Sequence, residues 1–210
     1  MRITKYTHAC LRLEHDGGVL VIDPGVFSEP EALDGADAVL ITHEHMDHID
    51  IDRLRGVAAR QPSIVVYAHP DVEDQLTDVD ADKYAINPGD TFVAAGMTVR
   101  AHGGQHAIIH PDIPRIVNLG YVIDAPDGPI YHPGDSFHVP TEEIATLFVP
   151  VSAPWLKLAE AIDFARAVKP ERAFALHDSL LVDVGQQMVT GHMTRLSGTH
   201  YERLEPGSSV

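Results

Sequence analysis

Three histidines and an aspartate fall within six residues in His43-Glu44-His45-Met46-Asp47-His48, a donor set that can hold a metal ion. Imidazole and carboxylate together suit zinc and its borderline neighbours, whereas calcium and magnesium prefer oxygen alone. The set follows Asp37 to Thr42, a largely apolar run that reads as a buried strand. Imidazoles at i and i+2 cannot share a helix face, but they can converge in a loop that leaves a strand end. A metal site needs more than one loop, so other strand ends should contribute. Three stretches qualify: His106 behind Gly103-Gly104-Gln105, Asp135 in His132-Pro133-Gly134-Asp135-Ser136, and His177 in Phe174-Ala175-Leu176-His177-Asp178.

Each has rivals. His102 and His110 flank His106 and either could serve in its place. Asp90 stands in a second Pro-Gly-Asp but precedes a hairpin, so it reads as turn chemistry. Asp178 reads as a surface or orienting carboxylate. His8, in Thr7-His8-Ala9, is equally open to lining the site or to the polar surface, and His132, His138, His192 and His200 are assigned to structure or surface. Asp78, Asp80 and Asp82 have the spacing of a calcium loop, but Lys83 holds the glycine position and Gly89 the final glutamate position, which excludes one. The chain has no G-x-S-x-G, no Gly-Lys and no G-x-G-x-x-G, so a nucleophile elbow, a P-loop and a dinucleotide fingerprint are absent.

The 210 residues fit one domain, 1–210, and at 44% hydrophobic and 22% charged they can build a core. A formal charge of -16 disfavours nucleic acid as a partner, because backbone binding needs lysine and arginine to neutralise phosphates. Cys10 is the lone cysteine, on a strand-like stretch, so neither an intrachain disulfide nor a catalytic thiol is expected. The first residues have no apolar signal core and no run approaches membrane-spanning length, so a cytoplasmic protein without membrane contact is expected.

The elements that must position these donors can be read in order. Ala9, Leu11 and Leu13 alternate with Cys10, Arg12 and Glu14, and Val19 to Ile22 is a short buried strand ending in Asp23-Pro24-Gly25. A short helix is expected over Ile49 to Ala59, presenting Ile51, Leu54 and Ala58, then a strand from Ser63 to Ala68. Asp71 to Asp82 reads as a solvated helix around Val72, Leu76 and Val79. A hairpin pairs Thr91–Ala94 with Met97–Ala101, and strands follow at Val117–Asp124, Pro129–His132, Thr146–Val151 and Arg172–Leu176. Trp155, Leu158, Ile162, Ala165 and Val168 recur at helical spacing, with Pro154 in the first turn and Pro170 as the stop. Val182 to Leu196 reads as a last helix, and Glu205 to Val210 as a frayed tail. The loop from Ala107 to Arg115 carries Ile108, Ile109 and Ile113, which could fold into the core, wall a pocket or make a homo-oligomer contact. Arg115 and Lys157 could add an anion contact. Pattern alone supports an α/β or α+β fold.

The motif H-x-H-x-D-H at 43–48, followed in order by His106, Gly134-Asp135 and His177, resembles the metallo-β-lactamase fold superfamily, and the likeness runs from Asp23 to His177. Asp23-Pro24-Gly25, Asp47-His48 and Gly134-Asp135-Ser136 look most like its small metal-dependent hydrolases related to L-ascorbate-6-phosphate lactonases, although no phosphate-binding cluster stands out. The resemblance implies an αββα sandwich and two divalent ions, zinc first, with manganese or iron as alternatives. His43, His45 and His106 would hold one ion, Asp47, His48 and His177 the other, with Asp135 bridging them. Asp23 would support a ligand loop through hydrogen bonds, and His8 could join it. The implied activity is a metal-dependent hydrolase directing an activated water at a small lactone, ester, amide or phosphodiester, with Asp47 returning a proton. The same superfamily holds mononuclear iron thiol dioxygenases, and a metal-binding protein without turnover is a third reading.

Overall fold

The alternation of the first strands builds the first sheet. The computed structural model describes residues 1–210. The first half runs β1 (Arg2–Lys5), β2 (Leu11–His15), β3 (Gly18–Ile22), β4 (Ala38–Leu40), α1 (Ile51–Arg60), β5 (Val65–Ala68), α2 (Pro70–Glu73) and β6 (Asp82–Ala85). The second runs β7 (Thr91–Ala94), β8 (Met97–Gly103), β9 (Leu119–Ile123), β10 (Ile130–His132), β11 (Thr146–Pro150), α3 (Leu158–Val168), β12 (Arg172–Leu176), α4 (Asp183–Leu196), β13 (His200–Glu202) and β14 (Ser208–Ser209). The strands form two seven-stranded sheets, ordered β14-β1-β2-β3-β4-β5-β6 and β13-β12-β11-β10-β9-β8-β7.

Three apolar clusters make the layers. One lies between the sheets, where Leu11, Leu13 and Leu20 meet Tyr121, Phe148 and Phe174. The second packs the outer face of the first sheet beneath α1, with Val21, Val39, Leu54 and Val57. The third packs Ala161, Ile162, Phe164 and Ala165 of α3 on the second sheet. Helix, sheet, sheet, helix is therefore the αββα sandwich of the metallo-β-lactamase type. Cys10 points away from the inter-sheet core, as the alternation requires, yet it is fully buried because α1 and its neighbours cover that face. Helix α1 starts where Asp50 accepts the amide of Arg53, a cap whose loss costs about 1 kcal/mol.

Four sequence expectations need correction. The acidic stretch from 71 to 82 is not one helix: α2 covers Pro70–Glu73, a 3₁₀ turn covers Asp74–Leu76, and Asp82 already pairs with Val65 as β6. Val72, Leu76 and Val79 are buried as expected, while β6 carries charges on a sheet edge, where they discourage pairing with another chain. The tail is not frayed, because β1 has an open edge: Ser209 and Ser208 pair with Thr4 and Lys5, and Ile3 and Val210 exchange both backbone hydrogen bonds at 2.9 Å. Helix α3 begins at Leu158, leaving Pro154 and Trp155 outside it. Asp178 is not on the surface; it is buried against Lys5 at 3.5 Å and Arg203 at 2.8 Å. No helix is long and apolar enough to cross a membrane.

Candidate metal centre

Every proposed donor follows the C-terminal end of a strand, and all these ends lie on one edge of the sandwich. Asp23 follows β3, the His43–His48 loop follows β4, His106 follows β8, Asp135 follows β10 and His177 follows β12. Crosslinks between the two sheets lock the loops together. The Leu119 amide donates to Thr42 O at 2.8 Å, the Tyr121 hydroxyl to Ile41 O at 2.8 Å, and the His177 amide to His8 O at 3.1 Å. Two glycines are needed for this closeness. A Cβ on Gly25 would lie 2.0 Å from the Asp47 carbonyl oxygen, and one on Gly134, whose φ is 61°, would lie 2.3 Å from Asn118 Oδ1. His8, Asp23 and His177 hold φ of 66°, 50° and 59°, backbone conformations that non-glycine residues rarely adopt.

The donors form overlapping groups whose ligand atoms lie within 4.8 Å of one another: His43, His45 and His106; Asp47, His48, His177 and His8; and His43, His48 and Asp135. Asp135 sits between the first two groups. Its Oδ2 is 3.4 Å from His106 Nε2 and 3.4 Å from His177 Nε2, and its Oδ1 is 3.2 Å from His48 Nε2. The structure thus brings together all seven residues singled out in the sequence, and it adds His8 to them. His106 is the member of its trio that enters the site. His102 is turned away toward Glu142 at 3.1 Å, and His110 is exposed beside Asp112.

Whether these residues fit a metal is decided by their outer atoms. His106 Nδ1 lies 2.6 Å from Ala107 O, and His177 Nδ1 lies 2.6 Å from Ser152 O. A carbonyl only accepts, so each Nδ1 carries a proton and Nε2, turned inward, is the atom left to bind a cation in place of any second proton. His48 Nδ1 is likewise 2.6 Å from Asp23 Oδ2. Inside, His48 Nε2, His106 Nε2, His177 Nε2 and Asp135 Oδ1 are buried without a hydrogen bond. Their close neighbours stand 3.2–3.4 Å away but outside hydrogen-bonding geometry. His43 Nε2 and His45 Nδ1 face each other at 3.1 Å. Buried polar atoms left this way cost about 1–3 kcal/mol each unless something satisfies them. Cations held by the overlapping groups would do so, and the residues fit them.

The electrostatics agree. Burial would raise the Asp135 carboxyl, yet His48 and His177 hold it well below the usual carboxylate range. Asp47 is also held far down against its burial, by His177 and His8 beside it. Burial opposes charge on His177, but Asp135 and Asp47 outweigh it and lift the imidazole to about 9; His48 is raised in the same way by Asp135 and Asp23. The carboxylates thus draw positive charge into the site. His43, by contrast, is pushed well down by burial, and burial takes His8 down to about 4, which keeps both imidazoles neutral.

Residues 2–177 match the family described as beta-lactamase superfamily domain. The chain belongs to that superfamily. Among relatives, Protein Rv0786c of Mycobacterium tuberculosis is 38% identical over 100% of this chain and 99% of its own. A UPF0173 metal-dependent hydrolase of Myxococcus xanthus is 28% identical over 99% of this chain and 82% of its own. A solved metallo hydrolase from the archaeon Ignicoccus hospitalis superposes with a TM-score of 0.78 at 20% identity, covering 100% of this chain and 97% of that one, which is a likeness of fold.

Within this beta-lactamase superfamily domain, the sequence reading missed three supporting residues. Trp155 donates its indole N–H to Asp135 Oδ2 at 2.8 Å. Its helical spacing suggested core packing; the overlooked sign was its place next to Pro154, ahead of the helix. Asn118 accepts the Asp135 amide at 2.9 Å and donates to Pro133 O at 2.9 Å, and its signal was a polar residue heading an apolar strand. Thr42 donates to Asp23 through its amide at 2.8 Å and its hydroxyl at 2.7 Å. His8 has its two ring nitrogens 3.0 Å from Asp47 Oδ2 and 2.6 Å from Ser179 Oγ, so the surface reading of it is withdrawn.

Proposed function

We propose that this metal-dependent hydrolase uses two divalent ions, zinc first and manganese or iron as alternatives, to cleave a small lactone, ester, amide or phosphodiester. The carrying observation is the set of four buried donor atoms, on His48, His106, His177 and Asp135, that no protein group satisfies. His43, His45 and His106 would hold one ion and Asp47, His48 and His177 the other, with Asp135 between them. When bound, such a pair lowers the pKa of a water and stabilises negative charge on the attacked oxygen. The chain's own residues do the rest. Asp23, Ala107 O and Ser152 O fix three imidazoles with their Nε2 atoms inward. Trp155 holds Asp135 by one oxygen. Asp47 is 22% exposed against 4% for Asp135, which supports giving the return of a proton to the departing group to Asp47 or a water beside it.

The test is elemental analysis of protein purified without chelators, together with a panel of small lactones, esters, amides and phosphodiesters. About two zinc or manganese ions per chain and turnover of at least one class are expected. One iron per chain with oxidation of a thiol, or no metal after mild purification, would overturn the reading.

A further inference from the structure

Among the large apolar side chains exposed by 47% or more, Phe27, Met46, Ile108, Ile113 and Leu180 come from four separate loops. Scattered exposed hydrophobics are ordinary. Here three of them, Phe27, Met46 and Leu180, meet with Ile109, Pro154 and Trp155 around one cavity of about 290 Å³. Its remaining lining residues are His45, Asp47, His106, Asp135 and His177, all from the proposed metal-binding set. The cavity therefore has an apolar wall and a polar floor, and no hydroxyl, amide or free charge stands on the wall.

Two cations line adjoining cavities without lining this one. Arg115 and Lys157 line a cleft that shares Trp155, and Arg115 also lines a small cavity that shares His45, His106 and Ile109. Arg115 is bonded to His106 O and to Gln105, and Lys157 lies 3.3 Å from Glu160.

We propose that the apolar wall is the site for the body of the substrate, an uncharged alkyl or aryl group directly attached to the bond that is cleaved. This rests on the hydrolase reading above and names its substrate class. A phosphorylated or polyhydroxylated substrate would bury its polar groups here without partners, at about 1–3 kcal/mol each. The occupant is a small molecule because the apolar surface is concave and its floor is the metal-binding set. The volume, about 290 Å³, lies at the small end of ligand pockets.

The test uses n-alkyl hydroxamic acids from acetyl to octanoyl, titrated into zinc-loaded protein. Trp155 is the only tryptophan and lines the cavity, so its fluorescence reports occupancy without any turnover. Affinity should rise about fourfold per added methylene, the transfer free energy of a buried CH₂, until the cavity is full. In Ile109→Asn and Leu180→Asn, both on the rim, the rise should fall below about twofold per methylene, and melting temperatures verify that these variants fold. A flat chain-length series in the wild type would overturn the proposal, as would tighter binding of a phosphorylated sugar lactone. Co-sedimentation with phosphatidylcholine vesicles, or dimerisation, that disappears in Leu180→Asn while the hydroxamate series stays flat would also overturn it, giving the wall to a membrane or a second copy. Ester turnover without chain-length preference would defeat this proposal and leave the hydrolase reading intact. Graded hydroxamate binding without turnover of any lactone, ester, amide or phosphodiester would overturn the hydrolase reading and leave the wall as a site for an apolar ligand.

Discussion

Replacing Asp23 by asparagine should weaken metal binding while leaving the fold standing. Asp23 is fully buried and touches no other proposed donor except through His48. Its Oδ1 accepts the Thr42 amide at 2.8 Å, and its Oδ2 accepts the Thr42 hydroxyl at 2.7 Å and His48 Nδ1 at 2.6 Å. An asparagine has one orientation open to it. Its oxygen must stay on the Thr42 amide, since an NH₂ there would set donor against donor. The NH₂ then faces His48 Nδ1, which must become an acceptor, so the imidazole proton moves to Nε2. That atom is the one aimed at Asp135 Oδ1, 3.2 Å away, and a protonated nitrogen cannot ligate a metal. Supporting partners of this kind are worth 10–100-fold in metal affinity, or about 1.4–2.8 kcal/mol. Asp23→Ala is less informative. It strands three buried donors at about 1–3 kcal/mol each, a large part of a typical domain's 5–15 kcal/mol. Chelator competition gives the affinity, and thermal unfolding of the metal-free protein gives the stability. Unchanged affinity in Asp23→Asn, with a fold that still melts cooperatively, would refute the tautomer reasoning.

Three further outcomes are expected. His106→Ala should lose metal that His102→Ala retains, because His102 is engaged with Glu142 at 3.1 Å; equal loss in elemental analysis would reverse that assignment. Cys10 should resist alkylation at pH 8 until the protein unfolds, since burial pushes its thiol up to about 12 and leaves a thiolate fraction on the order of 10⁻⁴. The folded state keeps this proton where the unfolded chain releases it, so the contribution is fully present below pH 9 and is lost as pH rises toward about 12, by about 1.4 kcal/mol per pH unit. Denaturant melts of the wild type and Cys10→Ala at pH 8.5 and 10.5 measure the difference, and identical pH slopes would sink the claim.

The donor set itself could be read without coordinates. Metal chemistry restricts the residue types, and the strand-end loop confines His43, His45, Asp47 and His48 to six residues, so both signals are local. The strands of the hairpin were legible for the same reason, since alternation and turn residues act over a few positions, whereas the sandwich was implied only by the family resemblance. Only the tertiary structure decided which of His102, His106 and His110 enters the site, because that depends on Glu142, some forty residues away, capturing His102. It also decided that His8 belongs to the site, through Asp47 and Ser179, which lie 39 and 171 residues from it. Trp155 obeyed a helical spacing, yet its hydrogen bond to Asp135 holds it ahead of α3. The tail strand and the burial of Asp178 follow from partners in β1, at the opposite end of the chain. A local pattern records what a residue can do; which distant surface covers it is settled by packing, where the apolar clusters and the unpaired edge of β1 choose their partners.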